Sequence, residues 1–85
     1  MFEYFHLYIK VDCGFCKDAI DLLERENKEF VITVLDKCSS FEEGIKRELG
    51  FRTVPIILKC TVPGTPALIG GYTELKAALL KGDKK

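Results

Sequence analysis

Residues 13–17 read Cys-Gly-Phe-Cys-Lys, and the rest of the 85-residue chain can be organised around them. Cys13 and Cys16 are three positions apart, where the pattern predicts that a strand gives way to a helix. At such a junction the first sulfur lies against unpaired helix N–H groups and the positive end of the helix dipole, which both favour a thiolate. Cys16 follows one helical turn later, within reach of Cys13. The pair can therefore carry out two-electron thiol–disulfide exchange without a metal or an organic cofactor.

The segments around the cysteine pair predict a strand–helix–strand unit. Residues 4–9 form a continuous apolar run of strand length, typical of a central strand that is covered on both faces. After the pair, apolar residues recur at helical spacing through Leu23, and the pattern fades near Asn27. Residues 30–35 then predict a second strand. Because a helix crosses between them, the two strands are expected to be parallel, with a right-handed crossover.

The second half of the chain predicts a helix, a hairpin and a last helix. Ser40 and Glu43 are spaced as a capping box, followed by an apolar stripe that begins at Phe41 and ends at Gly50. Residues 56–60 and 67–69 predict two strands joined by a turn at residues 63–64. Thr73 is expected to cap the last helix, and Gly82 to end it.

The element order is therefore β-α-β-α-β-β-α, which predicts an α/β fold with a four-stranded mixed sheet flanked by three helices. We expect residues 1–85 to form a single domain, with residues 81–85 as a flexible tail.

Composition excludes several classes of protein. The chain has 13 basic and 13 acidic residues, so no excess charge points to nucleic acid or to an anionic membrane. No stretch is long enough to span a bilayer, and residues 2–9 lack the features of a signal peptide. We therefore expect a cytoplasmic, reducing location, where four cysteines indicate a redox or metal site rather than a disulfide framework.

Three motifs in order give the chain a family resemblance. They are Lys10-x-x-Cys13-x-x-Cys16, then Thr53-Val54-Pro55, then Gly70-Gly71-Tyr72-Thr73-Glu74-Leu75. With the element order, they resemble the glutaredoxins of the thioredoxin fold over nearly the whole chain. The resemblance implies a compact dithiol enzyme that reduces protein disulfides and glutathione mixed disulfides, with glutathione as co-substrate and no bound cofactor.

The resemblance also implies roles for single positions. Cys13 matches the nucleophile and Cys16 the resolving cysteine, while Lys10 matches the lysine that meets a carboxylate of glutathione. With Phe15 as an aromatic platform and Arg52 as a further carboxylate contact, the predicted glutathione-binding residues are Lys10, Phe15, Arg52, Thr53, Val54, Pro55, Gly71, Tyr72 and Thr73. Pro55 matches a cis-proline beside the nucleophile. The helix N-terminus at Thr73 is also where an anion is expected on physical grounds.

Other functions stay open at this level. Gly-Phe replaces the Pro-Tyr of common dithiol glutaredoxins, so a [2Fe–2S] protein, with the cluster bridged by Cys13 and glutathione between two subunits, is one alternative. A thioredoxin-like electron donor is another, and a zinc knuckle that adds Cys38 and Cys60 to the pair is a third. Otherwise no metal is expected, and Cys38 and Cys60 are expected to be half-buried packing residues. The expected partners are glutathione and disulfide-containing proteins, with ribonucleotide reductase as a client implied by the family alone. We expect a monomer.

Overall fold

The structure is a computed structural model that describes residues 2–83. Within this range the elements are β1 (Phe2–Ile9), α1 (Gly14–Arg25), β2 (Phe30–Val34), α2 (Ser39–Leu49), β3 (Ile56–Val62), β4 (Ala67–Gly70) and α3 (Tyr72–Asp83). A short 3₁₀ turn at Leu35–Lys37 joins β2 to α2. This order confirms the predicted β-α-β-α-β-β-α arrangement.

The four strands form one mixed sheet in the order β2-β1-β3-β4. β1 runs parallel to β2, with His6 beside Val31, and antiparallel to β3, with Leu7 beside Ile57. β3 and β4 form an antiparallel hairpin. The antiparallel pairing of β1 with β3 places the carboxyl end of β1, and so the cysteine pair that follows it, beside the start of β3.

The main core lies between the sheet and two of the helices. Phe5 and Leu7 point to the same side of β1 because side chains alternate along a strand. They pack with buried residues of β3, α1 and α3, namely Ala19, Leu22, Leu23, Ile57 and Leu75. Fully burying one such leucine contributes roughly 1.5–3 kcal/mol, so this cluster anchors α1 and α3 to the sheet.

The start of α2 differs from the prediction. The helix begins at Ser39, and the N-cap residue is Cys38, which makes no side-chain cap hydrogen bond. Ser40 therefore lies inside the first turn, and the predicted capping box with Glu43 is wrong. The apolar residues of the predicted stripe do not enter the core, since no α2 residue is buried and Phe41 is 43% exposed. Gly50 ends the helix as predicted, with a left-handed φ of 66° that glycine adopts without strain.

The start of α3 also corrects the prediction. The Gly71 carbonyl accepts the first intrahelical hydrogen bond, from the Leu75 N–H at 3.0 Å, so Gly71 and not Thr73 is the cap position. Gly70 before it has φ 128°, and a Cβ there would stand 2.8 Å from Glu74 Cγ, so a larger residue does not fit. The helix continues past Gly82 to Asp83 because one glycine does not break a helix that is already formed. Of the predicted tail, residues 84 and 85 lie outside the described residues.

Candidate functional site

The two cysteines lie at the junction of β1 and α1. Cys13 is the N-cap residue of α1, and its sulfur accepts a hydrogen bond from the Cys16 N–H at 3.1 Å. The two sulfurs are bonded to each other as a disulfide, and the Cα atoms are 5.3 Å apart. Cys16 is 2% exposed, whereas Cys13 is half-buried. The geometry therefore makes Cys13 the accessible sulfur, and it places a helix N–H where a thiolate would need a donor.

The loop before β3 lies directly beside Cys13. The Cys13 sulfur is 3.9 Å from the Val54 carbonyl oxygen, and the Val54–Pro55 peptide bond is cis, as predicted. The loop before the cysteines is also tied to the neighbouring segment, because the Val11 N–H donates to the Asp36 carboxylate at 3.1 Å. Asp36 and Val54, which are far apart in sequence, thus both contact the segment of residues 11–13.

A groove of about 590 Å³ opens beside this sulfur. Its lining residues are Lys10, Phe15, Lys46, Phe51, Arg52, Thr53, Val54, Pro55, Gly71, Tyr72, Thr73 and Glu74. All nine residues predicted to bind glutathione are among them. The structure therefore brings the three sequence motifs to one concave surface.

Cationic side chains concentrate on the part of the groove formed by the end of β1 and by α2. Lys10 and Lys46 both donate to one oxygen of Glu42, with Nζ–Oε2 distances of 3.1 and 2.8 Å. These hydrogen bonds, from Lys46 first and then from Lys10, hold the pKa of Glu42 below its ordinary value. Two ammonium groups thus face one carboxylate, and Arg52 adds another cation to the groove lining.

The N-terminus of α3 contributes a second set of polar groups. Glu74 Oε1 accepts a hydrogen bond from the Gly71 N–H at 2.8 Å, which is one half of a capping box. The following N–H groups of the first turn have no intrahelical acceptors, since this is true of the start of any α-helix. This region therefore offers both anion-binding N–H groups and one carboxylate.

An aromatic pair stands beside these polar groups. The rings of Phe15 and Tyr72 are stacked with centroids 6.2 Å apart, and Phe15 is 63% exposed. Phe15 directly follows the helix start at Gly14, so an exposed apolar platform lies next to Cys13. Such a surface suits the backbone of a small peptide.

Three lining residues were missed by the sequence reasoning. Glu74 could have been found, because it stands three residues after the cap position Gly71. For Lys46, the spacing of four residues from Glu42 predicts an ion pair on α2, but it does not predict that Lys46 lines the groove. Phe51 gave no signal, because its position depends on how the loop after α2 folds back.

The remaining cysteines and the histidine lie elsewhere. Cys38 is exposed at the start of α2, so the expectation of a half-buried packing residue is wrong there, while Cys60 is 5% exposed within β3. The Ser40 hydroxyl is the main cause that lowers the pKa of Cys38. His6 and Thr33 form a hydrogen bond between β1 and β2, with Nε2 and Oγ1 2.8 Å apart.

In the part of the chain that the structure describes, no three His, Cys, Asp or Glu residues are placed to hold a metal ion. Among residues 2–83, no helix has the length and apolar character needed to cross a bilayer.

Helix α1 starts at the accessible Cys13, and Cys16 is buried one turn later. On a sheet of this thioredoxin-like topology, that arrangement is typical of a thiol–disulfide oxidoreductase. The family model described as glutaredoxin matches residues 6–59, which is more than half of the chain. The chain belongs to the glutaredoxin family, whose members are thiol–disulfide oxidoreductases.

Solved structures agree with this assignment. A crystal structure of glutaredoxin 1 from Francisella tularensis, complexed with cacodylate, is similar at 26% identity and a TM-score of 0.76, covering 99% of this chain and 100% of that one. A buckwheat glutaredoxin–glutathione complex has the same fold at 20% identity and a TM-score of 0.75, covering 94% of this chain and 71% of that one. The holo form of glutaredoxin C1 from Populus tremula x tremuloides has a TM-score of 0.73 at 20% identity, covering 92% and 68%. No curated protein sequence matches the chain.

Proposed function

We propose that this protein is a glutathione-dependent oxidoreductase that reduces glutathione mixed disulfides and protein disulfides through Cys13 and Cys16. The observation that carries the proposal is the groove beside Cys13, with cations in one part and a helix N-terminus in another. Glutathione has the matching chemistry: a glycyl carboxylate, a central thiol, and a γ-glutamyl group with both an ammonium and a carboxylate. That the related buckwheat glutaredoxin forms a complex with glutathione supports the same assignment.

Each part of glutathione can be assigned to a different set of protein groups in the groove. The glycyl carboxylate is assigned to Lys10, with Lys46 and Arg52 nearby, because ammonium and guanidinium groups bind carboxylates through charge-assisted hydrogen bonds. The γ-glutamyl carboxylate is assigned to the first turn of α3, whose N–H groups favour anions, and Thr73 adds a hydroxyl. The γ-glutamyl ammonium is assigned to the exposed Glu74 carboxylate. The cysteinyl residue between the two ends is assigned to the Val54 backbone, with which it would pair as an added strand.

The reaction on a glutathione mixed disulfide follows from the accessibility of the two sulfurs. The Cys13 thiolate attacks the glutathionyl sulfur, the S–S bond of the substrate breaks, and the departing thiolate takes a proton from water. A second glutathione thiolate then attacks the glutathionyl sulfur of the mixed disulfide on Cys13. That step releases oxidised glutathione and restores the Cys13 thiolate.

A protein disulfide takes the second route. Cys13 attacks one client sulfur and the other leaves as a thiolate, after which the Cys16 thiolate attacks the Cys13 sulfur and releases the reduced client. The Cys13–Cys16 disulfide that results is the state the structure shows. Two glutathione molecules reduce it again, so the proposal places the protein in a reducing, cytoplasmic setting.

The electron donor is the decisive test. With glutathione, glutathione reductase and NADPH, we expect turnover of the mixed disulfide of glutathione and 2-mercaptoethanol, and none by the Cys13→Ser variant. With thioredoxin reductase as the only donor, we expect little turnover. Efficient reduction by thioredoxin reductase, with no activity from glutathione, would assign the protein to the thioredoxin-like alternative. A brown colour and visible absorption after anaerobic purification would instead favour the [2Fe–2S] alternative.

A further inference from the structure

Glu42 is a carboxylate held between two lysines that line the groove. Its Oε2 atom accepts from Lys46 Nζ at 2.8 Å and from Lys10 Nζ at 3.1 Å. Its side chain is 15% exposed, against 38% for Lys10 and 26% for Lys46. The lowered pKa of Glu42 means that this carboxylate is charged at neutral pH. The two lysines are therefore already engaged by a carboxylate of the protein.

The contact joins two elements that otherwise touch little. Lys10 follows β1, whereas Glu42 and Lys46 are one turn apart on α2, a helix with no buried residue. Glu42 thus holds both ammonium groups at one place in the groove, and it offers them the same functional group as the glycyl carboxylate of glutathione. An incoming carboxylate must share or replace it. Two positive charges against one negative leave a net charge of one to attract the ligand.

We propose that Glu42 is an internal competitor for the cationic part of the groove and sets how strongly the protein selects substrates with a free carboxylate there. The inference rests on the proposed function, in which the glycyl carboxylate of glutathione meets Lys10. Glu42 is a specificity-determining residue and not a catalytic one, since it contacts neither sulfur of the Cys13–Cys16 pair. Its removal raises the net positive charge at the lysines and frees both of them for the substrate.

A pair of substrates isolates this effect. One is the mixed disulfide of 2-mercaptoethanol with glutathione, and the other is the same compound with the glycyl carboxylate blocked as an ethyl ester. The reduced protein is mixed with each in a stopped-flow instrument, and the second-order rate constant for glutathionyl transfer to Cys13 is measured. The ratio of the acid rate to the ester rate reports the selectivity for the carboxylate. Changes in folding or in thiol reactivity alter both rates alike and leave the ratio unchanged.

Glu42→Gln should raise this ratio roughly two- to fivefold, the scale expected for releasing partly exposed ion pairs. Glu42→Asp, which withdraws the carboxylate by one methylene, should give an intermediate ratio. Glu43→Gln is the matched control, because Glu43 is exposed on the same helix and forms no ion pair with the side chains described in residues 2–80. It changes the net charge by the same amount and should leave the ratio at the wild-type value. Thermal unfolding of each variant checks that the fold is retained.

Three outcomes would overturn the inference, and they are distinguishable. An unchanged ratio in Glu42→Gln would mean that Glu42 does not compete, and a lower ratio would mean that it orients the lysines for the substrate instead. An equal rise in Glu43→Gln would assign the effect to overall charge. In all three cases wild-type turnover with glutathione would leave the proposed function standing. Wild-type protein that does not react with the glutathione compound would remove the proposed function and this inference together.

Discussion

Lys10→Ala tests whether the cationic part of the groove binds glutathione. The lysine side chain is 38% exposed and its Nζ lies 3.1 Å from Glu42 Oε2, so it is a partly screened cation already in contact with a carboxylate. Losing one charge-assisted hydrogen bond at such a site costs about 1–2 kcal/mol. We expect the lower end, about 1 kcal/mol, which corresponds to a KM for the glutathione mixed disulfide about fivefold higher. Lys46 remains in the groove, and the substrate no longer has to displace Glu42 from Lys10.

The assay is steady-state reduction of the glutathione and 2-mercaptoethanol mixed disulfide, coupled to glutathione reductase and followed by NADPH absorbance. The effect should fall on KM and leave kcat nearly unchanged, because the cysteine chemistry is untouched. Lys59→Ala is the matched control, since Lys59 also pairs with a glutamate, Glu3 at 3.2 Å, but does not line the groove. A KM within error of wild type, or the same loss in the control, would refute the assignment of Lys10 to the glycyl carboxylate.

Four further predictions concern the other parts of the molecule. Cys13→Ser should abolish all activity, whereas Cys16→Ser should keep activity on glutathione mixed disulfides and lose most of it on protein disulfides; equal losses on both substrates would contradict the division of roles. Thr73→Ala should weaken binding of the glutathione mixed disulfide by about 1 kcal/mol, measured as a higher KM in the same coupled assay. An unchanged KM would remove Thr73 from the binding site. Ion pairing lowers the pKa of Glu42 in the folded state. Its ion pairs therefore stabilise the fold at pH values above the ordinary glutamate pKa of about 4.3, and this stabilisation is lost as the pH falls through the pKa of the folded state. Urea unfolding should therefore show a difference between wild type and Glu42→Gln at pH 7 that shrinks at pH 3, and a constant difference would argue against it. Leu23→Ala, at a side chain with no exposure, should lower the free energy of unfolding by about 2–5 kcal/mol in urea, and a loss well below this would mean that the core refills the cavity.

Much of the site could be predicted because its residues are local in sequence or carry a fixed chemistry. The position of Cys13 at a helix start follows from the change in periodicity on either side of it, and the structure confirms it as the cap of α1. The three motifs each predict part of the groove, which is lined by Lys10 of the first motif, by residues 53–55 of the second and by residues 71–74 of the third. The helix starts at Ser40 and Thr73 were placed wrongly, because several nearby residues can serve as caps and the choice depends on where the preceding strand ends.

The sequence by itself determined the order of the elements, the parallel unit around the cysteines and the position of Cys13 at the start of a helix. Periodicity, glycine and proline positions and the spacing of two cysteines are local properties, so they can be seen without the fold. Only the tertiary structure decided that Lys46 and Phe51 line the groove and that Glu42 bridges Lys10 and Lys46. The physical reason is that an ion pair between Lys10 and Glu42 depends on how α2 lies against the end of β1. Because no residue of α2 is buried, the apolar stripe seen in its sequence does not specify that placement.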